Sequence, residues 1–232
     1  LVEAGSYLSA FSSHRVSAEQ ALVRLPLSAD EAQPGGAVVR VRLVTAGERE
    51  TVIELEIVRG KANRAKVNRT QVRPREVLGL LKSVVFSPED LQIVRGDPQV
   101  RRQFLDDLLI QQHPLIAQVK SDFEKVARQR AALMKSAQSQ LRRGFTPDFS
   151  TVEVWDDTFA QLSAQLSLAR VGLVEELRGP AAHAYEEIGG SPRKLDIEFL
   201  ASQGNCPVGG DLATIAGELK EILASSRMKE AE

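Results

Sequence analysis

Seven cations crowd the segment VRGKANRAKVNRTQVRPRE, residues 58–76: Arg59, Lys61, Arg64, Lys66, Arg69, Arg73 and Arg75, with no acid before Glu76. Positive charge at that density can hold a phosphate backbone, and contacts of that kind make affinity fall steeply with salt. Basic side chains also guard the open edges of sheets against pairing with other chains. No aromatic residue lies between the cations, as stacking on single strands would want. From this segment alone the two readings stand even.

A second group lies in SPEDLQIVRGDPQVRRQFLDDLL, residues 87–109. Ser87 precedes Pro88 and stands three residues before Asp90, the spacing of a helix N-terminal capping box. Gly96 is expected to stop that short helix in a left-handed conformation. Asp97 and Pro98 start another, with Phe104, Leu105, Leu108 and Leu109 along one face. Arg101 and Arg102 fall in its first turn, where the helix dipole disfavours cations. They need a partner, either Asp97, Asp106 or Glu89, or an anion from outside.

Other chemistry is sparse. His14, His113 and His183 are far apart and lack companions at metal-ligand spacing, which argues against a zinc site. Cys206 is the only cysteine, which excludes a disulfide framework and suits a reducing cytoplasm. No glycine-rich phosphate loop of either common pattern occurs. With 30 basic against 31 acidic residues there is no overall attraction for nucleic acid, so any such surface is local. The 43% apolar and 26% charged composition is that of an ordinary globular chain. No run approaches the roughly 20 apolar residues of a membrane helix, and no signal peptide is visible.

The elements that would position these residues follow from periodicity. Residues 1–12 read as a helix with Ala4, Tyr7, Leu8 and Phe11 on one side. AVVRVRLVT and TVIELEIVRG alternate around a polar loop and predict a β-hairpin, with Arg40 and Arg42 set against Glu54 and Glu56. NRAKVNRTQV predicts a second pair of strands turning at Asn68. From His113 to Arg143 the pattern is helical. A second helix steps through Trp155, Phe159, Leu162, Leu166, Ala169, Leu173 and Leu177, ending at Gly179 and Pro180. At 1.5 Å per residue it would run roughly 40 Å and pair with the first as a hairpin. The charges of this hairpin, Glu153, Asp156 and Asp157 among them, read as a solvated face. AAHAYEEI is expected as a separate short helix, KLDIEFLAS as a strand, and residues after 210 as a last helix. Both chain ends fall within helix-like runs, which suggests an interior piece of a longer protein.

Several of these stretches together resemble a known family. VVFSPEDLQIVRGDPQVRRQFLDDLL is similar to the FSPEDL…RRxFLD block of the bacterial RecF family of DNA replication and repair proteins. LVEAGSYLSAFSSHRVS resembles the stretch after that family's phosphate loop, with its Ser-His-Arg at Ser13, His14 and Arg15. NRAKVNRTQV, VLGLLKSVVF and WDDTFAQLSAQLSLAR extend the likeness over nearly the whole chain. The resemblance implies an α+β or α/β fold: a partial SMC/Rad50/ABC-like ATPase head with an inserted helical-hairpin arm lobe. It implies a head portion at 1–105, the arm at 106–190, and a strand and helix leading back to the head at 191–232.

The same resemblance implies an ATP-dependent DNA-binding protein of recombinational repair and replication-fork maintenance. Such a protein binds single-stranded or gapped DNA, dimerises with ATP and Mg2+ between its heads, and helps load recombinase with mediator partner proteins in the cytoplasm. Ser87, Glu89 and Asp90 match a turn that senses nucleotide in related heads, and His14 and Arg15 lie near the expected nucleotide edge. Arg59, Lys61, Arg64, Lys66, Arg69 and Arg73 become candidate DNA contacts. Arg101 and Arg102 hold the arm to the head or face phosphate. The phosphate loop is expected before Leu1 and the signature motif and acidic pair after Glu232, so the 232 residues are expected not to hydrolyse ATP. The alternative is a non-enzymatic helical-hairpin adaptor whose β portion is only a mount.

Overall fold

The computed structural model describes residues 2–13, 16, 18–26, 28, 34–45, 47–189, 194–201 and 206–231. The chain divides into two compact units, Leu1–Leu115 and Ile116–Glu232.

The first unit is built on one antiparallel sheet in sequential order: β1 (Gly36–Val44), β2 (Glu50–Val58), β3 (Arg64–Val67) and β4 (Thr70–Val72). The alternation read from the sequence is the reason. Ile53, Leu55 and Ile57 of β2 point to one face and are at most 1% exposed. Tyr7 and Leu8 of α1 (Val2–Ala10), with Val23, Ala65 and Val77, complete that core. Each such large side chain contributes on the order of 2 kcal/mol by leaving water. Asn68 and Arg69 turn β3 into β4 with φ of 48° and 70°. Two successive positive φ angles match the right-handed twist of the flanking strands. Asn68 also accepts the Val52 N–H at Oδ1 (2.8 Å) and donates its own N–H to the Val52 carbonyl (2.8 Å). The two expected strand pairs are therefore one sheet, because β2 pairs with β1 on one side and β3 on the other.

Beyond the sheet, a 3₁₀ turn (Pro88–Leu91) runs into α2 (Gln92–Arg95), and α3 (Pro98–Gln112) follows. Gly96 does end α2, but not in the left-handed conformation expected: its φ is −89° and ψ −171°. Its N–H reaches the Gln92 carbonyl at 2.7 Å, and a Cβ there would lie 2.6 Å from that oxygen. Glycine is needed for closeness rather than for handedness. α3 runs through the expected 105/106 boundary, and the compact unit closes at Leu115.

The second unit holds α4 (Ile116–Arg142), α5 (Ser150–Gly189) and α6 (Leu212–Ala231). Phe123 packs on Phe159, Arg130 meets Asp156, and Met134 and Ala137 share a cluster with Val152, so α4 and α5 are antiparallel as the hairpin reading expected. Ala160 and Ala164 of α5 present small side chains to Ile215, Leu219 and Leu223 of α6.

Three expectations fail in this unit. α5 continues through Gly179 and Pro180 to Gly189, 40 residues in all, so AAHAYEEI is its last turns. A proline removes one helical hydrogen bond but does not forbid the helix where the chain on both sides favours it. KLDIEFLAS is not a strand in its described residues. Leu195, Ile197 and Phe199 are half-buried in alternation, but no strand among the described residues pairs with them. The Ile197 carbonyl accepts instead from Arg178 Nε and Nη2, each at 3.1 Å. Asp156 is not on a solvated face either. It is fully buried between two guanidiniums, Arg130 Nε at 2.6 Å and Arg227 Nε at 2.7 Å. Glu230 and Glu153 complete the network from outside, at 2.8 Å on Arg130 and 2.6 Å on Arg227. Burial works against the charge on Arg130, but the Glu230 and Asp156 hydrogen bonds outweigh it and hold the pKa above its ordinary value. The same balance, with Asp156 and Glu153, raises Arg227.

Candidate functional site

In the first unit the segment after α1, the SPEDL turn and α3 enclose a cleft of about 520 Å³. The serine-rich end of α1 supplies Ser9, Ser12 and Ser13, and the turn supplies Glu89 and Asp90. α3 supplies Gln103, Phe104, Asp107 and Leu108, because its i, i+4 spacing sets these on one side. Ser12 Oγ donates to Asp107 at 2.7 Å, Gln103 Nε2 donates to the same carboxylate at 2.7 Å, and Ser13 Oγ donates to Glu3. Ser83 Oγ meets Ser9 Oγ at 3.0 Å, and the Ser83 N–H donates to Gln111 at 2.8 Å. The described lining holds four carboxylates (Glu89, Asp90, Asp97 and Asp107) and no cation.

Within the turn, Ser87 and Asp90 bind one another. The Ser87 N–H donates to Asp90 Oδ2 at 2.6 Å and its hydroxyl to the same oxygen at 3.2 Å, while the Asp90 N–H returns to the Ser87 carbonyl at 3.0 Å. Ser87 does not line the cleft, and Glu89 does. His14 and Arg15 lie outside the described residues. The sequence reading named Asp97 only as a helix start and possible arginine partner and Ser13 only within the Ser-His-Arg match, and it missed Asp107, Ser9 and Ser12. Their only signal was Asp107 one helical turn after Gln103, and that does not single out a site.

The sheet separates the candidate DNA contacts. Arg64 and Lys66 project from the face opposite the core, and the register sets them against Glu56 and Glu54 of β2. Arg64 lies 3.9 Å from Glu56, and Arg40 of β1 binds Glu54 at 3.0 Å. Arg42 takes Glu50 at 3.5 Å rather than the expected Glu54 or Glu56. That face is therefore a ladder of alternating charge, and the acid-free stretch of sequence receives its acids from β2. Arg59 is half-buried, with Nη2 3.5 Å from the Val23 carbonyl and Nε enclosed. Lys61, Arg69 and Arg73 are exposed and their side chains have no acidic partner among the described residues, although the Glu76 carboxylate accepts the Arg73 backbone N–H at 3.2 Å. Lys61 follows β2, while Arg69 and Arg73 flank the edge strand β4.

The arginine pair on α3 has a divided role. Arg101 reaches back to the end of α2 and donates from Nη1 to the Gly96 carbonyl at 2.9 Å and the Ile93 carbonyl at 3.3 Å. Its partner is none of the acids expected but the negative end of the preceding helix, where a cation is favoured. Arg102 is exposed and without a partner among the described residues.

No family model matches the chain. The DNA replication and repair protein RecF of Frankia alni is 43% identical over 236 residues, covering 100% of this chain and 60% of that protein. The protein of the same name from Streptomyces avermitilis is 44% identical over 239 residues, with the same coverage of 100% and 60%. The solved structure of the recombination mediator protein RecF-ATPrS of the RecFOR pathway matches with a TM-score of 0.84 and 26% identity. That match covers 99% of this chain and 58% of that one. The RecF-ATP structure of the same pathway matches at TM-score 0.82, 26% identity and the same coverage. The chain thus spans about 60% of the length of the curated relatives it matches.

Proposed function

Because the chain belongs to the RecF family, we propose that it acts in DNA replication and recombinational repair by gripping the DNA phosphate backbone, within a protein whose hold on DNA depends on ATP. The observation that carries the reading is the set of exposed cations around β3 and the edge strand β4, Lys61, Arg69 and Arg73, whose side chains have no acidic partner among the described residues. The relatives named for DNA replication and repair support it, as does the likeness to a recombination mediator solved with ATP. Single-stranded or gapped DNA as the substrate, an ATP-bound homodimer, and mediator proteins that help load recombinase belong to the same proposal.

A triphosphate would meet four carboxylates and no cation among the cleft's described residues. No group of three or more His, Cys, Asp or Glu able to hold a metal occurs among the described residues. By themselves the described cleft residues do not fit ATP–Mg2+. Ser87 and Asp90 hold the turn, and Glu89 is the residue of the three to test for nucleotide dependence.

The deciding experiment follows DNA binding by fluorescence anisotropy across a salt series. K61A/R69A/R73A should weaken binding and lower the salt slope by about 0.9 for each duplex phosphate that is no longer neutralised, or about 0.7 on single strands. R64A/K66A should change the slope less, since Glu56 and Glu54 already offset those charges. Unchanged affinity and slope in the triple variant would return the cations to edge protection and favour the adaptor reading.

A further inference from the structure

After Glu124, α4 contains no acid, and its cations divide between two faces. Arg130 turns inward to Asp156 and Glu230. Arg128, Lys135 and Arg142 follow one another at seven-residue intervals, which keeps them in one stripe. That stripe lies roughly 140° round the helix from the buried Val126, Met134 and Ala137. Arg143 comes directly after the helix, and all four cations are exposed.

The acids that could neutralise this stripe are engaged elsewhere. Glu153 and Asp156 bind Arg227, Asp157 binds Lys220, Glu175 binds Arg178, and Asp122 binds Lys125. Glu124 stands one turn before Arg128 and forms no ion pair with it, and none of the four cations has an acidic partner among the described residues. The helix dipole accounts for cations in the last turn, so Arg142 and Arg143 alone would mean little. Arg128 and Lys135 are mid-helix, where that explanation does not reach.

We propose that this face of α4 is a second contact for the phosphate backbone of DNA, a proposal that rests on the DNA-binding reading above and adds a surface on the helical unit. One observation selects a nucleic-acid backbone over an acidic protein. Protein-docking surfaces centre on apolar and aromatic side chains, and α4 exposes no large apolar residue: between its cations lie Ala131, Ala132, Ser136 and Ser139.

The test is the charge-reversal variant R128E/K135E/R142E, titrated with a labelled duplex over a salt series beside the unsubstituted chain and K61A/R69A/R73A. The expected result is an affinity loss of about tenfold or more at low salt and a slope lower by about 2 to 3. Thermal melting should fall only slightly, through the reversed charges at the helix end and beside Glu124, because the stripe faces away from the core. If the unsubstituted chain binds and the α4 variant keeps the same affinity and slope, the α4 contact is overturned while the DNA-binding reading stands. If the unsubstituted chain binds no DNA at any salt, that reading fails and takes this one with it.

Discussion

Replacing Asp156 with alanine tests whether the helical unit depends on its buried charges. The substitution deletes two short charge-assisted hydrogen bonds, to Arg130 Nε and Arg227 Nε. It leaves two guanidiniums that are only 11% and 13% exposed, each with one remaining acid. Removing one partner from a buried ion pair costs about 3–5 kcal/mol. Because Glu230 and Glu153 stay in place, the lower end applies, about 3 kcal/mol. For a unit of this size 1 kcal/mol corresponds to about 4 °C, so the melting point should fall by about 12 °C. The single tryptophan, Trp155, is adjacent in sequence and makes a local probe for urea unfolding by fluorescence. D157A is the control. Asp157 binds Lys220 at 2.7 Å, but both side chains are about half exposed, so its loss should cost less than about 1 kcal/mol. A D156A chain within about 1 kcal/mol of the parent would refute the reasoning, since the cost derives from stranding buried charge.

Three further outcomes follow from backbone and caps. Gly96→Ala should destabilise the first unit by about 1–3 kcal/mol in denaturant titration, since its Cβ must displace the Gln92 carbonyl 2.6 Å away. Gly172→Ala should do the reverse in α5: nothing lies within 4 Å of the added Cβ, so about 0.5–1 kcal/mol of stability and a gain in helical circular dichroism are expected. Asp211 caps α6, and the Thr214 N–H first and then the Thr214 hydroxyl hold its pKa below the usual carboxylate value. A depressed folded pKa stabilises above the unfolded value and is lost as pH falls through the folded one. Melting should therefore drop below about pH 4, and D211A should flatten that limb. A limb of the same steepness in D211A would assign the acid sensitivity to other carboxylates.

What could be read directly from the amino acids was local. Alternation in 37–45 and 51–58 specified β1 and β2 and which of their residues are buried, because a strand's side chains repeat every two residues whatever surrounds it. Asn68 announced its turn, and Ser87, Pro88 and Asp90 announced theirs, since caps and turns are decided within four residues. The family was legible too, in the FSPEDL-to-FLD block. Tertiary structure decided the rest, because each remaining question concerned a partner distant in sequence. The sheet set Glu54 and Glu56 beside Lys66 and Arg64 and left Lys61, Arg69 and Arg73 with side chains that have no acidic partner among the described residues. The helical unit drew Asp156 out of what looked like a solvated face by bringing Arg227 to it from 71 residues away. KLDIEFLAS had the pattern of a strand but no neighbour to pair with, and a pattern states only which side chains share a face. Charge balance likewise belongs to neighbours in space, which the order of residues along a chain does not specify.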